Sequence, residues 1–296
     1  MLHMIGIDLR RGLRNKQFWI AVMVLETIFL AVIVSENILS VQQYYYDGTA
    51  NHEWLGFLLD AQLEFENITR MDFFVNFFPL LGALAYACSI VDDRKHAYYQ
   101  QITQKNGIKK YYWSRLISSG LMGGILVVIL LVILILMLEL GITHNPLLKD
   151  AVEYYKPFIN DSFYTITWGG KELGTVENPV IMRTMVCAGY FLLGTLYGVM
   201  AALIAFVTDN RVLVYAVPVI LSMIYERGLY AVILLSHKNP VVEGTLRGFM
   251  LRERMGCYEN LNDYCVIFFL IIFLVVIGKM IEQKVVMRYM EGGCEE

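Results

Sequence analysis

The chain is poor in charge: only 17% of its 296 residues are Asp, Glu, Lys or Arg, against about a quarter in soluble domains. That scarcity excludes an ordinary water-soluble protein of this length. No Gly-x-x-x-x-Gly-Lys-Ser/Thr phosphate loop occurs, so any use of nucleotide energy needs another chain. The five cysteines, Cys88, Cys187, Cys257, Cys265 and Cys294, lack Cys-x-x-Cys spacing and have no accompanying histidine pattern, which argues against zinc. Cys257 and Cys265 both fall toward the side assigned below as external, where a disulfide is chemically open to them, although spacing does not assign one. All five histidines, His3, His52, His96, His144 and His237, lie outside the apolar runs or at their edges. With no His-Glu-x-x-His, no Gly-x-Ser-x-Gly and no paired aspartates within a run, an intramembrane protease or lipid transferase lacks its usual constellation. A net charge of -3 argues against nucleic acid as a partner.

Apolar residues, by contrast, make up 57% of the chain. Several runs exceed the roughly 18 residues that mark a membrane-crossing helix. The clearest is 116–142, whose single acid is Glu139. The expectation is an all-α membrane protein, one transmembrane domain over 1–296, with six transmembrane helices at about 18–39, 73–91, 116–142, 179–208, 212–235 and 264–283. Of the 24 Lys and Arg, about 14 fall at the two ends and in the short 92–115 and 209–211 connections, while about eight are spread over the longer loops 40–72, 143–178 and 236–263. By the positive-inside rule both termini are cytoplasmic and those three loops are external. Within 143–178, Phe163 to Trp168 followed by Gly169-Gly170 reads as a strand and turn. No small-residue cleavage site follows the first run, so it reads as a retained span.

Residues 1–16 place Leu2, Ile5, Leu9 and Leu13 at helical spacing, with His3, Asp8, Arg10, Arg11 and Arg14 on the rest of the wheel. That is the pattern of a cationic helix lying on the inner leaflet, although Gly6 and Gly12 each weaken a helix by about 1 kcal/mol.

Between the second and third runs the chain reads SIVDDRKHAYYQQITQKNGIKKYYWSRLISSG. Residues 96–106 have room for a short cytoplasmic helix that Asn106-Gly107 ends, exposing Tyr98, Tyr99, Gln101, Ile102 and Gln104, with Lys105 beside them. Aromatic and amide groups in that mixture belong to interface cores rather than solvated loops. Lys109, Lys110 and Arg115 are expected to meet anionic headgroups, and Tyr111, Tyr112 and Trp113 to sit at interfacial depth. A plain positive-inside loop with an aromatic belt accounts for 109–115, but not for the apolar-aromatic character of 98–104.

The amphipathic start, the loop after span one, the run Asp92-Asp93-Arg94-Lys95 leaving span two, a short helix, the turn Gly107-Ile-Lys-Lys110 and Arg115 entering span three resemble the membrane subunit of type-2 ABC exporters. The likeness covers the whole chain in the order and number of its spans; its local signature is about 25 residues long. Where the family commonly has a Glu-Arg pair and a glycine, this chain has Asp93-Arg94 and lacks the glycine. The resemblance implies that 96–106 is a coupling helix, docking through Tyr98, Tyr99, Gln101, Ile102, Gln104 and Lys105 on a separate ATP-binding-cassette ATPase that holds ATP and Mg²⁺. It implies that this chain carries no cofactor and no catalytic residue. A second permease subunit, the same or related, and membrane lipids are then its other partners, in the plasma membrane of a bacterium. It also implies alternating access with outward movement of an amphipathic cargo, such as a peptide antibiotic, a drug or a lipid-like molecule. An intramembrane enzyme and an ATP-independent secondary transporter are the alternatives.

Three ionisable groups fall well inside the runs. Glu26 lies in the first, and Glu226 and Arg227 follow Pro218 in the fifth. Each costs at least about 2.5 kcal/mol at mid-bilayer unless paired or wet. Because adjacent residues point about 100° apart on a helix, Glu226 and Arg227 do not neutralise each other directly. Glu26, Glu226 and Arg227 therefore either line a substrate path or hold spans and subunits together, Arg183 being a further pairing candidate. Gly189, Gly194 and Gly198, followed by Ala201 and Ala202, form a small-residue stripe suited to close helix packing or a dimer seam.

Overall fold

The computed structural model describes residues 1–32, 72–95, 103–105, 107–144, 164–168, 171–176, 178–235 and 261–292, with single residues at 35, 65, 149 and 153. Eight helices and one hairpin make up the principal described elements: α1 (Leu2–Leu13), α2 (Lys16–Val32), α3 (Asp72–Tyr86), α4 (Cys88–Lys95), α5 (Ile108–Leu138), β1 (Tyr164–Trp168), β2 (Lys171–Val176), α6 (Pro179–Val207), α7 (Arg211–Leu235) and α8 (Leu261–Gly292). Among the described residues, four stretches are long and apolar enough to cross a membrane: 108–142, 180–207, 211–235 and 264–286. This is the make-up of a helical membrane protein. The apolar part of α2 covers only Phe18–Ala31, and the second expected span is divided between α3 and α4 by a turn at Ala87, whose carbonyl accepts from Ile90 N–H at 3.1 Å.

Helices α5 and α6 form the centre, with half of the apolar window of α5 and 67% of that of α6 buried, against 11% on α7 and on α8. Small residues allow their axes to approach. A Cβ at Gly194 would lie 2.6 Å from the Gly123 carbonyl oxygen, and one at Gly198 would lie 2.5 Å from that of Ser119. The Ser119 hydroxyl donates to Gly198 O at 3.0 Å across the same contact. Within the chain, the α6 small-residue stripe packs on α5 and α3, since a Cβ at Gly82 would also meet Tyr197 Cβ at 2.7 Å. Gly194 and Gly198 are thus taken up by an internal crossing.

The remaining bonds hold the outer helices to this pair. Tyr264 of α8 donates to Met185 O at 2.8 Å, and Tyr112 of α5 donates to Gly278 O of α8 at 2.7 Å. Tyr111 and Tyr112 are buried, so they serve the core and not the interfacial belt expected of them. Helix α6 starts on Pro179, with Asn178 accepting from Val180 N–H at 2.9 Å, the arrangement in which proline loses no needed donor and asparagine satisfies one. A π-helical stretch, Glu139–Thr143, ends α5, and Glu139 there accepts from Arg183 of α6 at 2.6 Å. Arg183 is therefore a partner of Glu139.

In the 143–178 loop, β1 and β2 pair antiparallel with Trp168 opposite Lys171, which leaves Gly169-Gly170 as the connection. Gly107, before α5, has φ 80°, the only positive φ among the described residues; an L side chain would be strained there.

Helix α1 is helical over the expected residues, but its inward stripe is rotated. Ile5, Asp8 and Gly12 are buried, whereas Leu2 is 84% exposed and Leu13 is also exposed. Gly12 allows contact with α5, since a Cβ there would meet Met122 Cε at 2.7 Å. The reason for the rotation is the charge on Asp8, which finds its partner inside the protein.

Candidate functional site

Every charge of the tripeptide Asp92-Asp93-Arg94, at the end of α4, is tied to a different part of the structure. Asp92 pairs with Arg211, the first residue of α7. Asp93 accepts from Arg11 of α1 at 2.7 Å and from the Tyr111 hydroxyl of α5 at 3.3 Å, and it forms an ion pair with Arg115 of α5. Arg94 donates to the carbonyls of Ala205, Phe206 (3.2 Å) and Thr208 (2.6 Å), and pairs with Asp209 at 3.1 Å. The last carbonyls of α6 have no helical partner and carry the negative end of the helix dipole, so a guanidinium suits that position.

Arg115 is the centre of the cluster. It is 1% exposed, and it donates to Asp8 of α1 at 2.7 Å and to the Tyr86 hydroxyl of α3. Its guanidinium carbon also lies 5.5 Å and 5.2 Å from the Tyr86 and Tyr111 ring centroids. Ser114 donates to Asp8 at 2.9 Å and Ser118 does so at 3.5 Å. Arg115 therefore meets neither water nor headgroups, contrary to expectation, because two buried carboxylates draw it inward. A planar guanidinium can bridge two carboxylates in this way; an ammonium cannot do so as well. Burial pushes the Asp93 carboxyl up to about 6, with the Arg11 guanidinium and the Tyr111 hydroxyl opposing the rise.

The geometric consequence concerns residues 96–106. Asp93 precedes that segment and Arg115 follows it, and their ion pair joins the chain on its two sides. Of the residues expected to dock, Tyr98, Tyr99, Gln101 and Ile102 lie outside the described residues. Gln104 and Lys105 lie in a helical turn, 103–105, and are exposed; Thr103 is buried. Thr103 O accepts from Gly107 N–H at 2.9 Å, joining that turn to the start of α5.

The three intramembrane candidates are not gathered into one centre. Glu26 is buried at 6% exposure, and among the described residues neither carboxylate oxygen has a hydrogen-bond partner. Glu226 is partly buried, while Arg227 is exposed on α7. Near them, Tyr197 and Ser222 share a hydrogen bond of 2.9 Å beside an apolar cavity of about 370 Å³ between α6, α7 and α8. No group of three or more metal-ligating side chains occurs among the described residues. Cys265 is a free thiol, and Cys257 lies outside the described residues.

Sequence reasoning located Asp8, Asp93 and Arg115 but missed their mutual pairing, and it located Arg94 without its seat on the end of α6. The signal was present in Ser114 and Ser118, which flank Arg115 at the mouth of a long apolar run: small hydroxyls beside an arginine suit a buried carboxylate rather than open headgroups. No protein-family profile, curated protein or solved structure matches this chain.

Proposed function

We propose that this chain is the permease subunit of an ATP-binding-cassette exporter. In this reading it has six spans with both ends cytoplasmic. Residues 1–16 lie along the inner leaflet of a bacterial cell membrane, and 96–106 is the docking element for a separate ATPase that binds ATP and Mg²⁺. The chain itself is not catalytic. It pairs with a second permease subunit, a copy or a relative, and moves an amphipathic cargo such as a peptide antibiotic outward by alternating access. The exposed α7 and α8 faces and the exposed Arg227 suit a neighbour or a lined path.

The observation that carries the reading is the charge clamp at the base of 96–106. Force applied to that segment meets a base in which Asp93, Arg115 and Arg94 join α1, α3, α4, α5 and α6, while Asp92 joins α7. A segment held by many helices transmits displacement to all of them, because packed cores shift as units rather than deform continuously. A flexible positive-inside loop needs no such anchoring.

Co-purification tests the reading. An ATPase expressed with the wild-type chain is expected to stay bound, and to be lost when Tyr99 and Ile102 are both changed to Asp. Full retention by the variant would remove the docking role. A second reading, an ATP-independent transporter, draws on Glu26, an acid inside a span with no hydrogen-bond partner. It predicts cargo movement in proteoliposomes that lack ATP.

A further inference from the structure

We infer that the junction of α1 and α2 is a binding site for the phosphate of an anionic membrane lipid. A cleft of about 800 Å³ opens between this junction and α3–α4, a volume within the roughly 300–1,000 Å³ range of small-molecule sites. Arg10, Arg14 and Lys16 line it. Among the described residues none of the three has an acidic partner. The other charges on its wall are already matched, Arg11 by Asp93 and Asp92 by Arg211. Three positive charges thus converge on one concavity with no compensating acid among the described residues.

Their placement is fixed by the fold. The Trp19 indole donates to Leu13 O at 2.7 Å and Asn15 N–H donates to Gly12 O at 3.0 Å, which holds the turn carrying Arg14 and Lys16. Asp8 anchors the helix carrying Arg10 through Arg115. Ser89 also lines the cleft, and among the described residues its hydroxyl, beneath the surface, has no hydrogen-bond partner. Arginines and a lysine are usual ligands of a phosphodiester.

Two apolar side chains on the wall, Ile7 and Leu84, decide between a lipid and a free anion. They give a glycerol backbone and the first methylenes of an acyl chain a surface, and Leu2, Leu13 and Ile20 are exposed on the same helices. The inference requires only that the helices stand in a membrane; it holds whether or not the chain is an exporter.

The test is native mass spectrometry of the full-length protein released from nanodiscs made of equal parts phosphatidylglycerol and phosphatidylcholine. Each uncompensated cation near an anionic surface is worth about a fivefold preference. The wild type is expected to retain phosphatidylglycerol selectively, and R10Q/R14Q/K16Q to lower the retained ratio by at least about tenfold. K109Q/K110Q, which removes two exposed cations outside the cleft, is expected to leave it unchanged. Should the triple variant fail to fold, R14Q/K16Q is expected to lower the ratio by at least about threefold. An unchanged ratio in the folded cleft variants, or an equal fall in K109Q/K110Q, overturns the inference. Displacement of the lipid by millimolar inorganic phosphate would make this a free-anion site and also overturn it. So would loss of a bound ATPase with the lipid ratio intact, which would make the cleft a protein-docking surface.

Discussion

Replacing Arg115 by methionine isolates the energetic core of the clamp. The guanidinium is 1% exposed and sits between the side chains of Asp8 and Asp93, themselves 7% and 1% exposed. Removing one member of a buried ion pair costs about 3–5 kcal/mol, because the charge left behind is neither solvated nor matched. Here the orphaned groups keep other contacts: Asp93 retains Arg11 at 2.7 Å and Tyr111 at 3.3 Å, and Asp8 retains Ser114 at 2.9 Å. The expected loss is therefore at the lower end, about 3 kcal/mol. Neutralising Asp8 in the same chain, as D8N/R115M, removes the carboxylate with no remaining cation, and the loss should shrink to about 1–2 kcal/mol. Unfolding by SDS titration in mixed micelles, followed by far-ultraviolet circular dichroism, measures both values. If R115M unfolds within about 0.5 kcal/mol of wild type, or the double variant is no more stable than R115M, the charges do not hold this site together. Under the proposed function R115M should also weaken ATPase retention, although it alters no docking residue.

The small-residue crossing gives a second expectation: Gly194→Val should cost about 3 kcal/mol, since its Cβ would lie 2.6 Å from a backbone oxygen. Gly6→Ala, where a Cβ meets nothing within 4 Å, should instead stabilise by about 0.5–1 kcal/mol. The raised Asp93 carboxyl fixes a pH dependence. Between 3.8 and about 6 the folded state holds a proton that the unfolded state has released, so stability falls as pH rises through that window, by up to about 3 kcal/mol, and then levels off. Asp93→Asn should flatten this slope; SDS titrations from pH 4 to pH 7 measure it. Glu26→Leu should raise stability by about 2 kcal/mol by removing a buried acid that lacks a hydrogen-bond partner. A variant that is more stable yet moves cargo more slowly in proteoliposomes would assign Glu26 to the transport path.

What the sequence made legible follows the physics each element obeys. The 116–142 run, with one acid, needs nothing beyond composition to be read as a long apolar helix, and α5 with the π-helical stretch that ends it covers the run. The hairpin was visible in the alternation of Tyr164 to Trp168 and in Gly169-Gly170, because turn chemistry is local. A break at Gly107 was visible for the same reason, and the positive φ there accounts for it. Pairing across distance left only the faint trace of the hydroxyls of Ser114 and Ser118 beside Arg115. Asp8 and Arg115 are 107 residues apart, and a helical wheel assigns a carboxylate to water unless something positive is known to lie beneath it. The wheel of residues 1–16 was therefore rotated from the observed one, and Arg115 was assigned to the headgroups.

That error bears on mechanism. A cationic helix merely resting on the leaflet could drift without consequence for the rest of the chain, whereas α1 held by Asp8 and Arg11 is part of the same ionic cluster as Asp93 and Arg115. Arg11 and Asp8 bracket the cluster from α1, and Arg10, Arg14 and Lys16, which have no acidic partner among the described residues, line a cleft at the same helix junction. A lipid bound there would add a load to the clamp that holds 96–106. On the proposed function this links lipid composition to ATPase coupling, with a consequence that can be measured: R14Q/K16Q should lower cargo-stimulated ATP hydrolysis in membranes rich in phosphatidylglycerol, and have little effect in phosphatidylcholine alone. An equal effect in both membranes would separate the lipid site from the clamp.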